Sequence, residues 1–357
     1  MNVIYDARYI HMSGLGTVVK SYINGILDAK TSTPTTFIFS NNQTSLPVIN
    51  KLKKAGHHCI FISAKPFQLL EHIQLYQQLS RFQNAIYHVP HFNVPYIIPP
   101  KIKVICTIQD LAPDIFPKEN RSWVHKLYYS TVLRRALKSD VILAGSEYTK
   151  HCLQDIHQCS TAQVLYNGFI PPKNSPSTIT RDQHHLLYVG INKPRKNLQL
   201  LIAAMTLLPE KYQLTLVGNM SIGSYDIDQD CKKNHLEKRV SIKGYVSDDE
   251  LDHLYKSASA LVFPSLLEGF GYPILEAGAV KCPVICANSS SLPEVGGEGC
   301  LYFDPTDAQS CANAIIKLHN SQDLQNNLTT TLLERVSFFT TAKHIEACKN
   351  IYQSLLT

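Results

Sequence analysis

The sequence predicts an α/β protein with two domains, each built around a doubly wound parallel sheet. Its 357 residues, 44% of them hydrophobic and 17% charged, suit two cores of about 150 residues each and exclude a disordered chain. Short apolar strands alternate with stretches of helical periodicity in both halves, which is typical of parallel βαβ units. Residues 171–177, rich in Pro, Ser and Asn, interrupt this alternation and predict a linker.

The first half contains six predicted strands. The first strand is followed by a Gly-containing turn, Ser13–Gly16, and then by a helix from Thr17 to about Ala29. The six strands are Asn2–Ala7, Thr36–Ser40, Cys59–Ser63, Ala85–His88, Val104–Gln109 and Val141–Ala144. A further helical stretch is predicted from apolar residues at helical spacing, namely Phe67, Leu70, Ile73 and Leu75.

The second half repeats the pattern, with five predicted strands and a helix from about Asn197 to Leu208. The strands are His184–Gly190, Gln213–Gly218, Arg239–Gly244, Ala260–Ser265 and Pro283–Asn288. We therefore predict a first domain at 1–172 and a second at 173–341, with the last helical run, 342–357, a candidate to pack back on the first domain. The two domains are expected to face each other across a cleft lined by the carboxyl ends of their strands, where open α/β sheets bind ligands.

Charge is distributed unevenly along the chain. Residues 1–170 hold 17 Lys or Arg and 9 Asp or Glu, a net charge of +8, whereas residues 171–357 carry −2. A basic half can face anionic lipid, a phosphate-bearing substrate or nucleic acid, or can be an ordinary solvated surface. Nucleic acid is disfavoured because no motif of a nucleic-acid-binding module is present.

The sequence shows no recognisable secretory signal and no membrane-spanning segment. The opening MNVIYDARYI has no basic segment ahead of an apolar one. The longest apolar run, Leu200–Leu208 apart from Thr206, is far shorter than the roughly 20 residues of a membrane helix. The ten Cys form no CxxC pair and are expected to be reduced thiols. A cytoplasmic protein is therefore expected.

Three segments at predicted strand ends indicate an anionic ligand. The first, from Gly190 to Asn197, contains Lys193, Arg195 and Lys196. Crowded cations repel one another unless a negative group offsets them, and a diphosphate fits, because Lys196 offers a point charge and Arg195 can bind bidentately. The alternative is a solvated loop that is basic by chance.

The second segment, 265–273, leads into a helix. Its candidate residues are Glu268, Gly269, Phe270 and Gly271, with Glu276 further along. A Pro at the helix start and the two glycines ahead of it predict backbone N–H groups directed at a phosphate. The two carboxylates, eight residues apart, can each accept hydrogen bonds from a diol of one extended ligand. The alternative is that Glu276, in the first helical turn, complements the helix dipole and that Glu268 is solvated.

The third segment is the turn Ser13–Gly16, which opens the first helix. Gly14 and Gly16 would permit close approach of the backbone to a ligand. A purely structural tight turn is equally compatible with the pattern.

These segments belong to a resemblance that runs nearly end to end. The matching segments are SGLG, AIYHVPHFNVP (85–95), VICTIQDLAPDIFP (104–117), ILAGSEYTKHCL (142–153), VLYNGF (164–169), LLYVGINKPRKNLQLLI (186–202), VSIKGYVSDDEL (240–251) and LVFPSLLEGFGYPILEAGAVKCPVICANSSSLPEVGGEGCLYFDPTD (261–307). In these segments the chain resembles family 4 of the retaining glycosyltransferases, which have the two-domain GT-B fold, and particularly its bacterial mannosyltransferase-like members. The Glu-x7-Glu spacing is highly specific inside the last block together with PRKN.

The resemblance implies a role for each matching position. Arg195 and Lys196 would neutralise the diphosphate of a nucleotide-sugar, which the turn of Gly269, Phe270 and Gly271 would also bind through the helix end. Glu268 would hold hydroxyls of the donor sugar, and Glu276 the ribose. The resemblance also implies that the backbone of the Gly244–Val246 turn, which includes Tyr245 and Val246, would contact the base. The remaining donor-binding positions are Gly190 and, from the opposite domain, Gly14 and Gly16.

One position departs from the family. Where the family usually has TIHDL, residues 107–111 read TIQDL, so that Gln109 replaces a His that approaches the transferred sugar. Gln can hydrogen-bond a hydroxyl but cannot carry a proton or a charge. We expect Gln109 to keep the sugar contact; the alternative is a nucleotide-sugar-binding protein of the same fold with weak or lost transfer. His88 and His91 are further acceptor-side candidates, for which a core role is equally open.

The predicted activity is retaining transfer of a hexose from a nucleotide-sugar to a glycan or lipid-linked acceptor. Mannose from GDP-mannose is the preferred donor, and a UDP-sugar stays open. No metal is expected, because such enzymes are usually independent of one, and peripheral contact with an anionic membrane is a hypothesis. A nicotinamide-dependent dehydrogenase is disfavoured because Ser13–Val19 lacks the third Gly of GxGxxG. A sugar synthase or phosphorylase of the same architecture remains an alternative.

Overall fold

The computed structural model describes residues 2–29, 33–119, 122–172 and 179–355. The chain divides into two compact units. Unit 1 consists of Met1–Ile170 and Phe339–Thr357, and unit 2 is Pro171–Phe338. The linker predicted at 171–177 begins at this boundary, but its residues from Lys173 onward lie outside the described ranges.

Unit 1 contains a parallel sheet with the strand order β3-β2-β1-β4-β5-β6-β7. The strands are β1 (Asn2–Asp6), β2 (Thr35–Ser40), β3 (His58–Ile62), β4 (Ala85–Val89), β5 (Ile102–Ile108), β6 (Val141–Ala144) and β7 (Gln163–Val164). The helices that alternate with them are α1 (Leu15–Asp28), α2 (Pro47–Lys54), α3 (Leu69–Leu79), α4 (Ala112–Ile115), α5 (Trp123–Ala136) and α6 (Glu147–His157). Strands β2 and β4 are buried along their whole length, as expected for parallel strands covered on both faces.

Unit 2 contains a second parallel sheet, with the strand order β10-β9-β8-β11-β12-β13. The strands are β8 (His185–Val189), β9 (Gln213–Val217), β10 (Val240–Gly244), β11 (Ala260–Phe263), β12 (Val284–Ala287) and β13 (Leu301–Phe303). The helices are α7 (Leu198–Leu207), α8 (Ile227–Lys233), α9 (Asp248–Ser257), α10 (Tyr272–Ala279), α11 (Leu292–Gly296), α12 (Ala308–His319) and α13 (Gln322–Val336).

The last helix, α14 (Thr341–Ser354), is part of unit 1. The Tyr352 hydroxyl lies 3.0 Å from the hydroxyl of Tyr22 on α1 and 2.7 Å from Nδ1 of His88 on β4. A Cβ atom at Gly25 would lie 2.6 Å from a side-chain carbon of Ile345, so only glycine lets α14 approach α1 this closely. The helix thus completes the core of unit 1.

All eleven predicted strands are present, with ends within two residues of those expected. Strands β7 and β13 were missed, because two or three residues give no measurable periodicity. The helix expected around Leu70 is α3, but Phe67 precedes it, and Leu70 and Ile73 are 51% and 58% exposed. Among the helices of the described ranges, none combines the length and hydropathy that spanning a membrane would require.

Candidate functional site

The candidate site of unit 2 lies where the strand order of its sheet reverses. Strands β8 and β11 are neighbours there, and the chain leaves them in opposite directions, which opens a crevice at their carboxyl ends. β8 leads into Gly190 and the basic loop, and β11 leads into the loop that carries Glu268. Sheet topology therefore places two of the predicted segments side by side.

The two loops touch through backbone and side chains. The backbone N–H of Leu266 donates a 2.8 Å hydrogen bond to the carbonyl of Arg195. Lys196 Nζ forms an ion pair with Glu268 Oε1, and each side chain is only 12% exposed. The ammonium also lies 5.7 Å from the ring centre of Phe263. The cation predicted for the diphosphate and the carboxylate predicted for the sugar are therefore in direct contact.

Three consecutive serines after β12 support the Glu268 loop. Ser289 Oγ donates to the carbonyl of Ser265 at 2.6 Å, and Ser290 Oγ accepts from the N–H of Glu268 at 3.0 Å. The fully buried Ser291 donates to the carbonyls of Glu268 and Phe270, at 3.0 and 2.8 Å. The sequence interpretation did not single out these serines, although the SSS run at a strand end was visible.

Helix α10 presents its N-terminus next to this loop. Gly271 adopts φ +122°, a conformation that L side chains rarely adopt, and no side chain caps the helix. The first turn of α10 also holds no acidic side chain, so no carboxylate in that turn offsets the positive end of the helix dipole. The placement of Glu276 in the first turn was wrong: the helix begins at Tyr272, which puts Glu276 in the second turn.

Glu276 is held by a tyrosine that the sequence did not reveal. The hydroxyl of Tyr255, on α9, donates a 2.7 Å hydrogen bond to Glu276 Oε2. Burial raises the pKa of the Glu276 carboxyl, and the hydrogen bond from Tyr255 acts in the opposite direction. Tyr255 therefore orients the carboxylate and favours its ionised form.

A cavity of about 700 Å³ opens at the carboxyl ends of β9 and β10. Its wall includes Gly244 and Tyr245, and the Tyr245 side chain is 73% exposed; Val246 beside it is partly exposed. Asn192, in the basic loop, donates from Nδ2 to the carbonyls of Met220 and Tyr225 at 3.0 and 2.7 Å. Strand order thus lines up the cavity, the basic loop and the Glu268 loop along one edge of the sheet.

The sequence also contains two overlapping Asp-x-Asp spacings, Asp226–Asp228 and Asp228–Asp230, that the sequence interpretation overlooked. Asp226, which borders the cavity, caps α8 by accepting from the N–H of Gln229 at 2.9 Å. Asp230 accepts from the Tyr225 hydroxyl at 2.5 Å. In the described ranges, no three His, Cys, Asp or Glu side chains are grouped so that they could hold a metal ion.

In unit 1, Gly14 and Gly16 form the tight turn that opens α1. Gly14 is the N-cap residue with φ +62°, and a Cβ atom at Gly16 would lie 2.6 Å from the carbonyl oxygen of Ile10. The N–H of Gly16 donates to Met12 O at 2.5 Å, and that of Thr17 donates to Gly14 O at 3.0 Å. These backbone groups are therefore used within the turn itself.

Gln109 directly follows β5 and is fixed by two neighbours. Its Oε1 accepts a 2.7 Å hydrogen bond from Asn167 Nδ2, and its carbonyl accepts one from Thr149 at 3.0 Å. A Cβ atom at Gly145 would lie 2.8 Å from Oε1, so a larger residue there would displace the Gln109 amide. Gln109 Nε2 and Asn167 Oδ1 are buried and have no hydrogen-bond partner among the described residues. Two amides that are bonded to each other therefore leave one donor and one acceptor unpaired, and a hydroxyl group can pair with either.

His88 is buried in unit 1, with both ring nitrogens next to hydroxyl groups. Its Nδ1 lies 2.7 Å from Tyr352 and its Nε2 lies 2.8 Å from Thr107, and burial lowers its pKa to about 3. His91 stacks on Tyr9, with ring centres 5.4 Å apart, and its Nδ1 accepts from the N–H of Asn93.

Comparison with known proteins identifies the class. Residues 170–332 match the family described as glycosyl transferases group 1. The chain is 28% identical over 303 residues to O-antigen chain mannosyltransferase B of Escherichia coli, covering 78% of this chain and 76% of that protein. It is 29% identical over 225 residues to O-antigen chain mannosyltransferase RfbU of Salmonella typhimurium, covering 61% of each. Anabaena HepE, solved in complex with UDP and glucose, superposes with a TM-score of 0.76 over 99% of this chain and 100% of its own, at 16% identity.

The fold is therefore GT-B, and the chain is a glycosyltransferase. Within that class, the segment 170–332 matches the group 1 family, and the chain is similar to bacterial O-antigen chain mannosyltransferases. The fold class and the resemblance predicted from the sequence are confirmed.

Proposed function

We propose that this chain transfers a mannosyl residue from GDP-mannose to a hydroxyl group of a glycan or lipid-linked acceptor, with retention at the anomeric carbon. Two of its relatives are described as O-antigen chain mannosyltransferases, which supports mannose as the transferred sugar. The proposal depends mainly on one observation: Lys196 contacts Glu268 in a loop that leads directly into the uncapped N-terminus of α10.

This arrangement suits a departing nucleoside diphosphate. Cleavage of the anomeric C–O bond leaves negative charge on the diphosphate and oxocarbenium-like positive charge on the sugar. The negative charge on the diphosphate would be stabilised by Lys196, by Arg195 and by the N-terminus of α10, which follows Gly269 and Gly271. These fixed charges and dipoles need no reorganisation during the reaction. Glu268 would accept hydrogen bonds from hydroxyls of the donor sugar once donor binding separates it from Lys196.

Retention follows from attack on the face that the diphosphate leaves. The acceptor oxygen forms the new bond to the anomeric carbon, and its proton passes to the departing phosphate oxygen. No protein nucleophile takes part in this scheme. Gln109, through its unpaired Nε2, would hold a hydroxyl of the transferred sugar, and Gly14 and Gly16 would approach the diphosphate and sugar.

The nucleoside would occupy the cavity beside Tyr245. The backbone of Gly244–Val246 would read the base, and Glu276, held by Tyr255, would accept from the ribose hydroxyls. We propose that no divalent ion is needed, because Lys196, Arg195 and the helix N-terminus already oppose the diphosphate charge.

A donor panel tests the proposal. GDP-mannose should raise the unfolding temperature more than UDP-glucose or UDP, because a ligand that binds only the folded state stabilises it. Transfer to a lipid-linked glycan should retain the anomeric configuration, read by NMR, and should proceed equally in EDTA and Mg²⁺. A rise in unfolding temperature with UDP-glucose alone would overturn the proposed donor. A product with inverted anomeric configuration would overturn the proposed stereochemistry, and loss of transfer activity in EDTA would overturn the proposed metal independence. No binding or turnover of any sugar nucleotide would overturn the function.

A further inference from the structure

Unit 1 exposes an apolar face on α3, α5 and the loop between β4 and β5. Its side chains are large and well exposed, including Leu69 at 77%, Ile97 at 66% and Trp123 at 75%. We define the apolar face by its exposed hydrophobic residues, which are Leu69, Leu70, Ile73, Tyr76, Tyr96, Ile97, Trp123, Val124 and Leu127. Scattered exposed hydrophobic residues are ordinary, but a contiguous group marks an interaction surface.

Contacts between the three elements show that they pack side by side and so bring their exposed residues to one side of unit 1. The rings of His72 on α3 and Tyr96 in the loop lie 4.7 Å apart, and the Tyr96 hydroxyl donates to Thr131 on α5 at 2.8 Å. The Tyr128 hydroxyl on α5 reaches Glu71 on α3 at 3.3 Å. On both helices the exposed residues follow helical spacing, as Leu69 and Ile73 do on α3.

The charge near the apolar face is mainly positive. The described acidic residues on its α5 side are Asp114, which accepts a hydrogen bond from Tyr129 on α5, and Glu119, which precedes that helix. From Ala29 to Gln109 the sequence contains eight Lys or Arg and one acidic residue, Glu71, and no acidic residue occurs in α5. Glu71 is fully buried and forms a 2.8 Å ion pair with Arg8, so that it offers no charge to an external partner. The exposed cations on or beside the three elements are Lys65, Arg81, Lys101, Lys126 and Arg134.

We propose that the apolar face docks unit 1 on a bilayer surface rich in anionic lipid. Apolar and aromatic side chains enter the boundary between headgroups and acyl chains, Trp favours that depth, and Lys and Arg bind anionic headgroups while their stems lie along apolar surface. A second copy of this chain is a poorer occupant, because pairing two such faces would bring like charges together.

The chain contains its own probe for this contact. Trp123 is the single Trp of the sequence and the second most exposed residue of the face. Its fluorescence should shift to shorter wavelength when vesicles of phosphatidylglycerol and phosphatidylcholine are added, and should not shift with phosphatidylcholine alone. Higher salt should weaken the binding, because it screens exposed charges. No donor or acceptor is present, so the outcome is independent of the proposed transfer reaction.

Matched variants locate the contact. Leu70→Ser with Ile73→Ser should weaken vesicle binding at least tenfold, whereas Leu207→Ser, at a 45% exposed position on α7, should leave it unchanged. Lys126→Gln should weaken it about fivefold, and Lys317→Gln on α12 should not. Circular dichroism checks that each variant remains folded.

Several results would overturn the inference. The first is an absence of binding to anionic vesicles at low salt, and the second is equal binding to both vesicle types. The third is that Leu207→Ser weakens vesicle binding as much as Leu70→Ser with Ile73→Ser does. A shift of Trp123 fluorescence that depends on protein concentration without lipid, with a dimer in gel filtration, would assign the face to a second copy instead.

Discussion

Lys196 Nζ and Glu268 Oε1 form an ion pair in the crevice between β8 and β11, each side chain almost enclosed by protein. Their partners in the proposed reaction are different: a diphosphate for the lysine and a sugar for the glutamate. Donor binding would therefore exchange this pair for two ligand contacts. Without donor, the pair keeps each charge compensated, which limits the cost of holding two ionised groups in a poorly solvated crevice.

Replacing Lys196 should remove stabilisation of the leaving group. We expect Lys196→Ala to lower kcat/KM for GDP-mannose by roughly 100- to 1,000-fold, the scale of losing one preorganised electrostatic contact in a transition state. Initial rates of transfer measure the effect. Lys243→Ala is the matched control, because it removes a 3.1 Å ion pair with Glu250 that is exposed on the same unit. Similar losses in both variants would contradict the assignment.

Removing the Tyr255 hydroxyl should weaken nucleotide binding with little effect on chemistry. Tyr255→Phe deletes the hydrogen bond that orients Glu276, so KM for the donor should rise about 2- to 10-fold while kcat changes little. Tyr302→Phe removes a comparable 2.6 Å bond to the carbonyl of Gly297 elsewhere in unit 2 and should leave KM unchanged. A drop in kcat alone for Tyr255→Phe would argue against a ribose contact at Glu276.

The raised pKa of Glu276 predicts how nucleotide affinity depends on pH. The ionised carboxylate accepts from the ribose hydroxyls, so affinity for GDP should fall as pH decreases through this raised pKa. In Tyr255→Phe the fall should begin at higher pH, because the hydrogen bond that favours the charged form is gone. Calorimetric titration at several pH values measures both curves. Glu276→Gln is the reference, since its curve contains only the titration of the phosphate; identical curves would reject the role.

Asn167 should act through Gln109. Asn167→Ala releases the Gln109 amide, and we expect about a tenfold lower kcat with an unchanged donor KM. Asn167→Asp should restore part of the rate, because a rotated Gln109 donates to the carboxylate and presents Oε1, which can accept a hydrogen bond from the sugar hydroxyl. Gln109→His tests whether the neutral amide limits the turnover rate. If the wild-type protein is active and the variant is no faster, the alternative of an enzyme impaired by Gln109 is rejected. Equal damage by Asn167→Ala and Asn167→Asp would indicate a structural role only.

The buried His88 predicts acid sensitivity of unit 1. Its pKa is lowered to about 3 in the folded state by burial, whereas the pKa of a His in the unfolded chain is near 6.5. Between these values the unfolded state binds more protons, so stability should fall as pH decreases from 6.5 towards 3, by up to about 1.4 kcal/mol per pH unit. Denaturation followed by Trp123 fluorescence reports on unit 1. His88→Asn should flatten this dependence, and an unchanged slope would contradict the prediction.

The sequence predicted those features that depend on a few neighbouring residues. Eleven of the described strands, the glycines ahead of α10 and the cations Arg195 and Lys196 follow from periodicity and composition over a few residues. The exposed side of α3 shows the limit: Leu70 and Ile73 have helical spacing but face outward, whereas the acidic Glu71 is buried, because Arg8, which is distant in sequence, compensates its charge.

The order of residues along the chain was thus enough for the α/β class, the strand ends and the chemical types at the site, because these arise from contacts between near neighbours. Which side chains meet was decided by strand order and packing. Lys196 reaches Glu268, Tyr255 reaches Glu276 and Asn167 reaches Gln109 across 72, 21 and 58 residues of sequence. Separations of this size leave no periodic trace, because the parallel sheet and its crossover helices bring such residues together only after folding.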